Sequence, residues 1–186
     1  RLSKRISAFC EVRLVDPDDR EVPDGTPGEM ALRGSTLFSG YWNADDTNAR
    51  DFRNGLFHMG DLLRRNADGT VDFVDRAKYL IKTGGENVYP AQVESAIYGH
   101  PAVGEVAVIG VPDEIWGEAV KACVVPKPGI DFDPDDIIAF TRERLAGFKV
   151  PKSVDVIPEM PRNASGKILR RELRAPYWQG RERQVN

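Results

Sequence analysis

The feature that most limits the fold of this chain is a change of pattern at Asp75. Before it, apolar residues alternate with polar ones or are cut by turn-forming clusters; after it, helical spacing is interleaved with solid apolar runs. In the first stretch, FCEVRLVD alternates as a half-buried strand does, PDDREVPDGTPGE is a turn-dense connector, and EMALRG is a second strand. DLLRRNADGTVDFVDR reads as a hairpin, two strand-like runs joined by Asn66, Ala67, Asp68 and Gly69. GYWNADDTNARDF offers Asn43 as the cap of a short acidic helix. Residues 1–76 are therefore expected to form a small, distorted antiparallel β-barrel or sheet.

From residue 77 onward the elements change. YPAQVESAIYGH predicts a helix with Pro90 in its first turn, and GEVAVIGV a buried strand. GEAVKACVVPKPG is a second strand closed by Pro and Gly. Asp133, Pro134 and Asp136 supply a cap, a first-turn proline and a first-turn carboxylate to the helix DPDDIIAFTRERLA. SVDVIPEM is a third strand and KILRRELR a terminal helix. The expectation for 77–186 is a compact α/β domain with a central three-stranded sheet, and for the whole chain an α+β class. The joint at DRAKYL carries charge but no Gly/Ser linker, and two domains meeting there suggest a hinge.

Composition narrows the function. With 41% hydrophobic and 30% charged residues, 186 residues suit one or two soluble domains. A net charge of −3 weighs against a nucleic-acid or membrane-surface protein. No apolar run approaches the roughly 18–20 residues that span a bilayer, and no signal-peptide pattern is present. Cys10 and Cys123 sit in expected strands without metal-ligand spacing, as buried thiols of a reducing, cytoplasmic compartment would. The chain opens on Arg1, in what reads as mid-domain sequence, so a piece of a longer protein is expected. Residues 162–186 hold seven basic and two acidic side chains, a net +5 on a body of −8. Such a tail suits either a polyphosphate partner or a solvated helix face.

Four stretches carry chemistry, each with an ordinary structural alternative. In FHMGD, Asp61 follows a glycine at the head of a hairpin strand, placed to grip a diol by charge-assisted hydrogen bonds or to close a turn. In DRAKYLIKTGGENVYP, Gly84 and Gly85 admit conformations closed to other residues and allow close approach to a ligand, while Arg76 can hold a phosphate or carboxylate. The same pattern also describes a tight loop before a helix. In GFKVPK, Phe148 between basic residues can stack on a base while Lys149 or Lys152 meets phosphate, or it can join the core. In PRNASGKILRREL, Lys167 is either a solvated turn residue or a cation delivered to a site elsewhere.

Their order and spacing resolve the alternatives. GYWN, then GD, then DRxKxxIKxxGENVxP, then PxxxSGKxxR resembles the C-terminal part of the adenylate-forming, AMP-dependent acyl-CoA synthetases, the superfamily of the luciferases and peptide-synthetase adenylation domains. The resemblance runs over essentially the whole chain, GEMALRGSTLFSGYWNADDT included. It implies a parent enzyme, an AMP-forming acid–thiol ligase, in which a carboxylic acid attacks the α-phosphate of ATP and CoA then displaces AMP. By the motif match Lys167 is the cation of the first step, which works with Mg²⁺; Asp61 holds the ribose hydroxyls; Arg76 lies near ribose and phosphate. Lys78 matches the hinge about which the small domain swings between half-reactions, bringing the Gly84, Gly85, Glu86 and Asn87 loop to the pantetheine channel. Trp116, Phe148 and Lys152 fall where relatives contact the CoA nucleotide. Two positions depart from the pattern: Met59 replaces a Thr or Ser before Gly-Asp, and Val150 stands where some relatives carry a basic residue.

The family's glycine-rich phosphate loop, adenine segment and acyl pocket do not occur in these residues. The chain by itself is thus expected to be inactive, Mg²⁺ to be held mainly by the rest of the parent's large domain, and no metal ligand is assigned here. Two alternatives to CoA transfer remain: transfer to a carrier-protein phosphopantetheine, and a non-catalytic nucleotide-binding or interaction module.

Overall fold

The computed structural model describes residues 3–180. The chain divides into two compact units, residues 1–78 and 79–186. The first is a five-stranded antiparallel sheet of β1 (Cys10–Val15), β2 (Pro27–Gly34), β3 (Phe52–Arg53), β4 (Leu56–Arg65) and β5 (Val71–Arg76), with one short helix, α1 (Asp45–Asp51). The order is β1-β2-β4-β3, and β5 pairs with β4 beside β3. The β4–β5 hairpin forms where NADG predicts it: Gly69 turns with φ +79° and Asn66 N–H donates to the Thr70 carbonyl at 2.8 Å. Leu14, Leu63 and Val71 bury one face with Ile6, Val12 and Met30 around them.

Asn43 does not cap α1. It sits in the left-handed region, φ +51°, and Ala44 occupies the cap with no side-chain bond. Asn tolerates that region better than most residues, and the turn takes it for this purpose. The segment before α1 is held instead by Asn48, whose amide accepts from Tyr41 N–H at 2.7 Å and donates to the Tyr41 carbonyl at 2.8 Å. Phe38 packs edge-on against Tyr41, Phe52 and Phe57, with centroids 5.0–5.3 Å apart.

The second unit is built on three long or central strands, β8 (Val103–Asp113), β9 (Gly117–Pro126) and β10 (Ser153–Val156). β8 and β9 form an antiparallel hairpin, and β10 adds in parallel to β9. A short hairpin of β6 (Ile81–Thr83) and β7 (Glu86–Val88) extends the sheet to five strands through Thr83 and Gly117. Helix α2 (Pro90–Ile97) lays Pro90, Val93 and Ile97 onto the sheet, positions i, i+3 and i+7 of one face. Helix α3 (Pro134–Arg142) starts as its residues predict, with the Asp133 carboxylate accepting from Asp135 N–H at 2.9 Å.

The sheet is covered on both sides, which is why its strands read as continuous apolar runs. Val106, Val108, Val120, Ala122 and Val124 face α2 and α3; Ala107, Ile109, Ala119 and Cys123 face Met160, Leu173 and Tyr177 of the C-terminal segment. That segment carries α4 (Arg170–Arg174), and Trp178 Nε1 donates to the Gly110 carbonyl at 3.0 Å. On the same face Lys121 pairs with Asp155, and the Tyr177 hydroxyl also donates to Asp155. Burial pushes Asp155 up, but the bonds from Lys121 and Tyr177 outweigh it and hold the carboxyl below its usual range. Burial and the Asp155 charge push the Cys123 thiol up to about 11, so it is an inert core group. Cys10 is only half-buried, its Sγ 3.8 Å from Thr36 Oγ1. No helix among the described residues is long and apolar enough to cross a membrane.

Candidate functional site

In the first unit the chemistry sits at a break in the β2–β4 ladder. Glu29 pairs with Leu62 and Ala31 with His58, so Met30 alone faces Met59, Gly60 and Asp61. Such a bulge leaves backbone groups outside the ladder and re-aims the side chains next to it. Gly60 takes φ +71°, and its N–H donates to Glu29 Oε1 at 3.1 Å. Asp61 then re-enters the sheet opposite Arg76, whose Nε lies 2.7 Å from Asp61 Oδ1. Arg76 Nη1 reaches the Met59 carbonyl at 3.4 Å, so a backbone oxygen at position 59, rather than a hydroxyl, meets the arginine. Asp61 and Arg76 are thus brought together as a partly exposed, charge-assisted pair.

Behind the bulge lies a polar network that sequence reasoning missed. Glu29 Oε2 is 3.3 Å from both Arg53 Nη2 and His58 Nδ1. Arg53 forks onto Asp19 through Nε and Nη2, each at 3.1 Å, and Asn54 donates to the same carboxylate at 2.7 Å. His58 is 4% exposed, with Nε2 3.8 Å from Asp19 Oδ1. Burial raises the pKa of Asp19, yet the Arg53 guanidinium overcomes that and keeps it below the usual carboxylate value. Asp19, Glu29, Arg53 and His58 are spread over positions 19 to 58, so no local motif joins them. The available signal was ionisable Glu29 and His58 at strand positions that an apolar core would otherwise fill.

Lys78 lies in a 3₁₀ turn, Ala77–Tyr79, and is the last residue of the first unit.

In the second unit the predicted residues fall at two ends of one sheet. At the first end Gly84 and Gly85 form the two-residue turn of the β6–β7 hairpin, with φ +57° and +82°. Both signs are positive, as a tight primed turn demands, which is why the glycines make a hairpin and not an open loop. Gly84 N–H donates to the Trp116 carbonyl at 2.9 Å, and the indole lies on the glycine: a Cβ at 84 would stand 2.6 Å from Trp116 Cε3. Asp113 shapes the Trp116 turn, its Oδ1 accepting from Ile115 and Trp116 N–H at 2.9 Å each. Those two bonds, with the Lys152 charge nearby, lower the pKa of Asp113.

Lys152 is bonded through its N–H to the Val120 carbonyl at 2.8 Å, and the 3₁₀ turn bearing Phe148 touches β7. Gly84, Gly85, Glu86, Trp116, Phe148 and Lys152 therefore share one rim. Trp116 and Phe148 are half-exposed there, at 51% and 38%. Lys149 is engaged by Gln92 at 2.9 Å, and Val150 is buried, so that position turns an apolar side chain inward.

Lys167 lies at the other end. Asn163 Oδ1 accepts from Ser165 N–H, Ser165 Oγ and Lys167 N–H at 3.1, 2.8 and 2.9 Å. Gly166 closes the turn at φ +79°. Arg162 ties the turn down, donating to the Gly166 carbonyl at 2.7 Å and pairing with Glu105 at the start of β8. The backbone of the turn is fixed while the Lys167 side chain stands exposed. Trp116 follows the far end of β8, so eight strand residues, roughly 25 Å at about 3.3 Å each, separate the two groups. Among the described residues no cluster of three or more His, Cys, Asp or Glu is gathered as metal ligands.

Known proteins resemble this chain in sequence and fold. Residues 92–167 match the AMP-binding enzyme C-terminal domain. A feruloyl-CoA synthase of Amycolatopsis sp is 48% identical over 171 residues, covering 92% of this chain and 35% of that protein. The fatty acid–[acyl-carrier-protein] ligase ScoC of Streptomyces coeruleorubidus is 44% identical over 174 residues, covering 94% and 34%. The crystal structure of ATP-bound MatB from Rhodopseudomonas palustris superposes with a TM-score of 0.86 at 37% identity, over 93% of this chain and 35% of that one. The chain spans about a third of the length of the curated relatives it matches.

Proposed function

The chain belongs to the adenylate-forming AMP-binding enzymes, and from that premise we propose that it is the C-terminal third of an ATP-dependent acid–thiol ligase. Residues 1–76 are the last β subdomain of the large domain, and 77–186 the mobile small domain. In the first half-reaction a carboxylate oxygen attacks the α-phosphorus of ATP, pyrophosphate leaves, and an acyl-adenylate forms. In the second, a thiol sulfur attacks the acyl carbon and AMP leaves. Asp61 and Arg76 hold the ribose and its phosphate. Lys167 offsets charge that grows at the α-phosphorus as two anions meet, a preorganised contact of the kind whose loss costs about 10²–10³ in rate. The rim of Gly84, Gly85, Glu86, Trp116, Phe148 and Lys152 receives the thiol and its nucleotide, the glycines leaving room for a narrow pantetheine arm.

The observation that carries this reading is the separation of Lys167 from the Trp116 rim by the length of β8. One rigid domain cannot bring both ends to a single reacting centre, so each half-reaction uses its own end. Rotation about Lys78 exchanges them. The test is Lys167→Ala in the full-length parent, with carboxylate-dependent ATP–pyrophosphate exchange and acyl transfer from preformed adenylate measured separately. Exchange is expected to fall by about 10²–10³ while transfer survives. Parental rates in both steps overturn the assignment.

A second acceptor is supported by one relative: ScoC, named for an acyl-carrier protein, is nearly as similar as the feruloyl-CoA synthase. Its thiol arm would use the same rim, and a transfer assay with CoA against a phosphopantetheinylated carrier decides between them. That these two similar relatives are named for different acids supports a reading in which acid choice resides outside this third of the protein.

A further inference from the structure

We infer that Glu29 is a positioning residue for nucleotide binding, setting the aim of Asp61 through the backbone of Gly60. The inference rests on the assignment of Asp61 to the ribose. At the bulge, one residue of β2 faces three of β4, so the Gly60 N–H has no ladder partner from the opposite strand. A part-buried amide left without an acceptor carries a cost, and the local chain would shift to satisfy it. Glu29 Oε1 supplies that acceptor at 3.1 Å, one residue before Asp61.

The carboxylate is itself fixed. Arg53 and His58 hold its other oxygen at 3.3 Å each, and Arg53 is anchored in turn by both oxygens of Asp19. An arginine that forks onto one carboxylate and bridges to another leaves Glu29 little freedom to turn. The chain Asp19–Arg53–Glu29–Gly60 therefore transmits a fixed geometry to the residue that meets the ribose. Asp61 has a second restraint in Arg76, at 2.7 Å, but that partner is about half-exposed and acts on the side chain. Glu29 acts instead on the backbone, through the amide of the residue before Asp61.

The role requires both the reach to Gly60 and a second oxygen for Arg53. Glu29→Gln keeps the length and a carbonyl oxygen for Gly60 but turns an NH₂ donor toward Arg53; Glu29→Asp keeps the charge but withdraws the oxygen by one methylene. The readout is the ratio of kcat/KM for ATP to that for 2′-deoxyATP in pyrophosphate exchange by the full-length parent. It reports the grip of Asp61 on a ribose hydroxyl and cancels any loss of folded protein. A hydroxyl-to-carboxylate bond sets this ratio at about 10–100. Glu29→Asp is expected to bring it close to unity, and Glu29→Gln to lower it by a smaller factor. Melting temperatures are measured alongside, because a merely structural role lowers them without moving the ratio. Any other pattern of the two variants overturns the positioning role. Asp61→Ala separates the premises: if it retains the parental ratio, the ribose assignment itself fails; if it abolishes the ratio while Glu29→Asp does not, only the positioning of Asp61 by Glu29 fails.

Discussion

The two units place their chemistry in opposite ways. In the first, the candidate pair lies inside strands, at the bulge in β4 and the end of β5, and rests on part-buried charges from the β1–β2 turn, β2 and β3. In the second, the sheet is packed mainly with apolar side chains, although Glu118, Lys121 and Thr141 are buried with them, and the candidate groups stand at or beside turns at one end of the sheet or the other. A bulge couples function to the fold behind it, whereas a turn on a rigid sheet can be altered almost independently of its core. That difference determines what each kind of substitution does.

The strongest way to break the comparison is to damage the second core directly. Ile97 is fully buried against the sheet, and Ile97→Ala is expected to cost about 2–5 kcal/mol, read by denaturant unfolding. Both half-reaction rates per folded molecule should stay unchanged; a selective loss of either would show that core and rim are coupled after all. Gly84→Ala should do the reverse. Its Cβ would enter the Trp116 ring at 2.6 Å from a backbone already at φ +57°, so the two turns must part. A cost of about 1–3 kcal/mol and a fall in thioester formation of about 10–100-fold are expected, with adenylation retained.

The smallest effect sharpens the account of the second face. Cys123, with its pKa raised to about 11, keeps its proton in the folded state when the unfolded thiol, near pH 8.5, has lost it. Its contribution is thus fully present below about pH 8.5 and is lost as pH rises toward 11. Tyr177, whose pKa burial and Asp155 also raise, acts with the same sign at still higher pH. Cys123→Ala should flatten the decline of melting temperature between about pH 8.5 and 10; an unchanged slope would refute the linkage.

Legibility in the sequence followed the same division. The NADG hairpin, the Asp133-Pro134 helix start and the strands β8 and β9 depend on neighbours in sequence, and each formed where its residues predict. The Lys167 turn and the two glycines were visible as punctuation, although strands of three residues are too short for periodicity to reveal the β6–β7 hairpin. Asn43 was misread because one side chain suits both a helix cap and a left-handed turn. The Asp19–Glu29–Arg53–His58 network was illegible because its partners lie up to 39 positions apart and meet only once the bulge forms.

The pairing of β8 with β9 has a further consequence, for the order in which the second unit assembles. Its ten paired positions close around a three-residue connection, among the most local contacts in the molecule. β10, by contrast, can join β9 in parallel only after the chain has crossed over through α3. Loop closure over that crossover costs more entropy than closing the hairpin, so the hairpin forms first and serves as the template on which β10 and the C-terminal segment later dock. Until they arrive, Lys121 waits without Asp155 and Cys123 without its cover. The segment that follows β10 therefore finishes the sheet's second face, and Lys167, carried on that segment, comes into place with it.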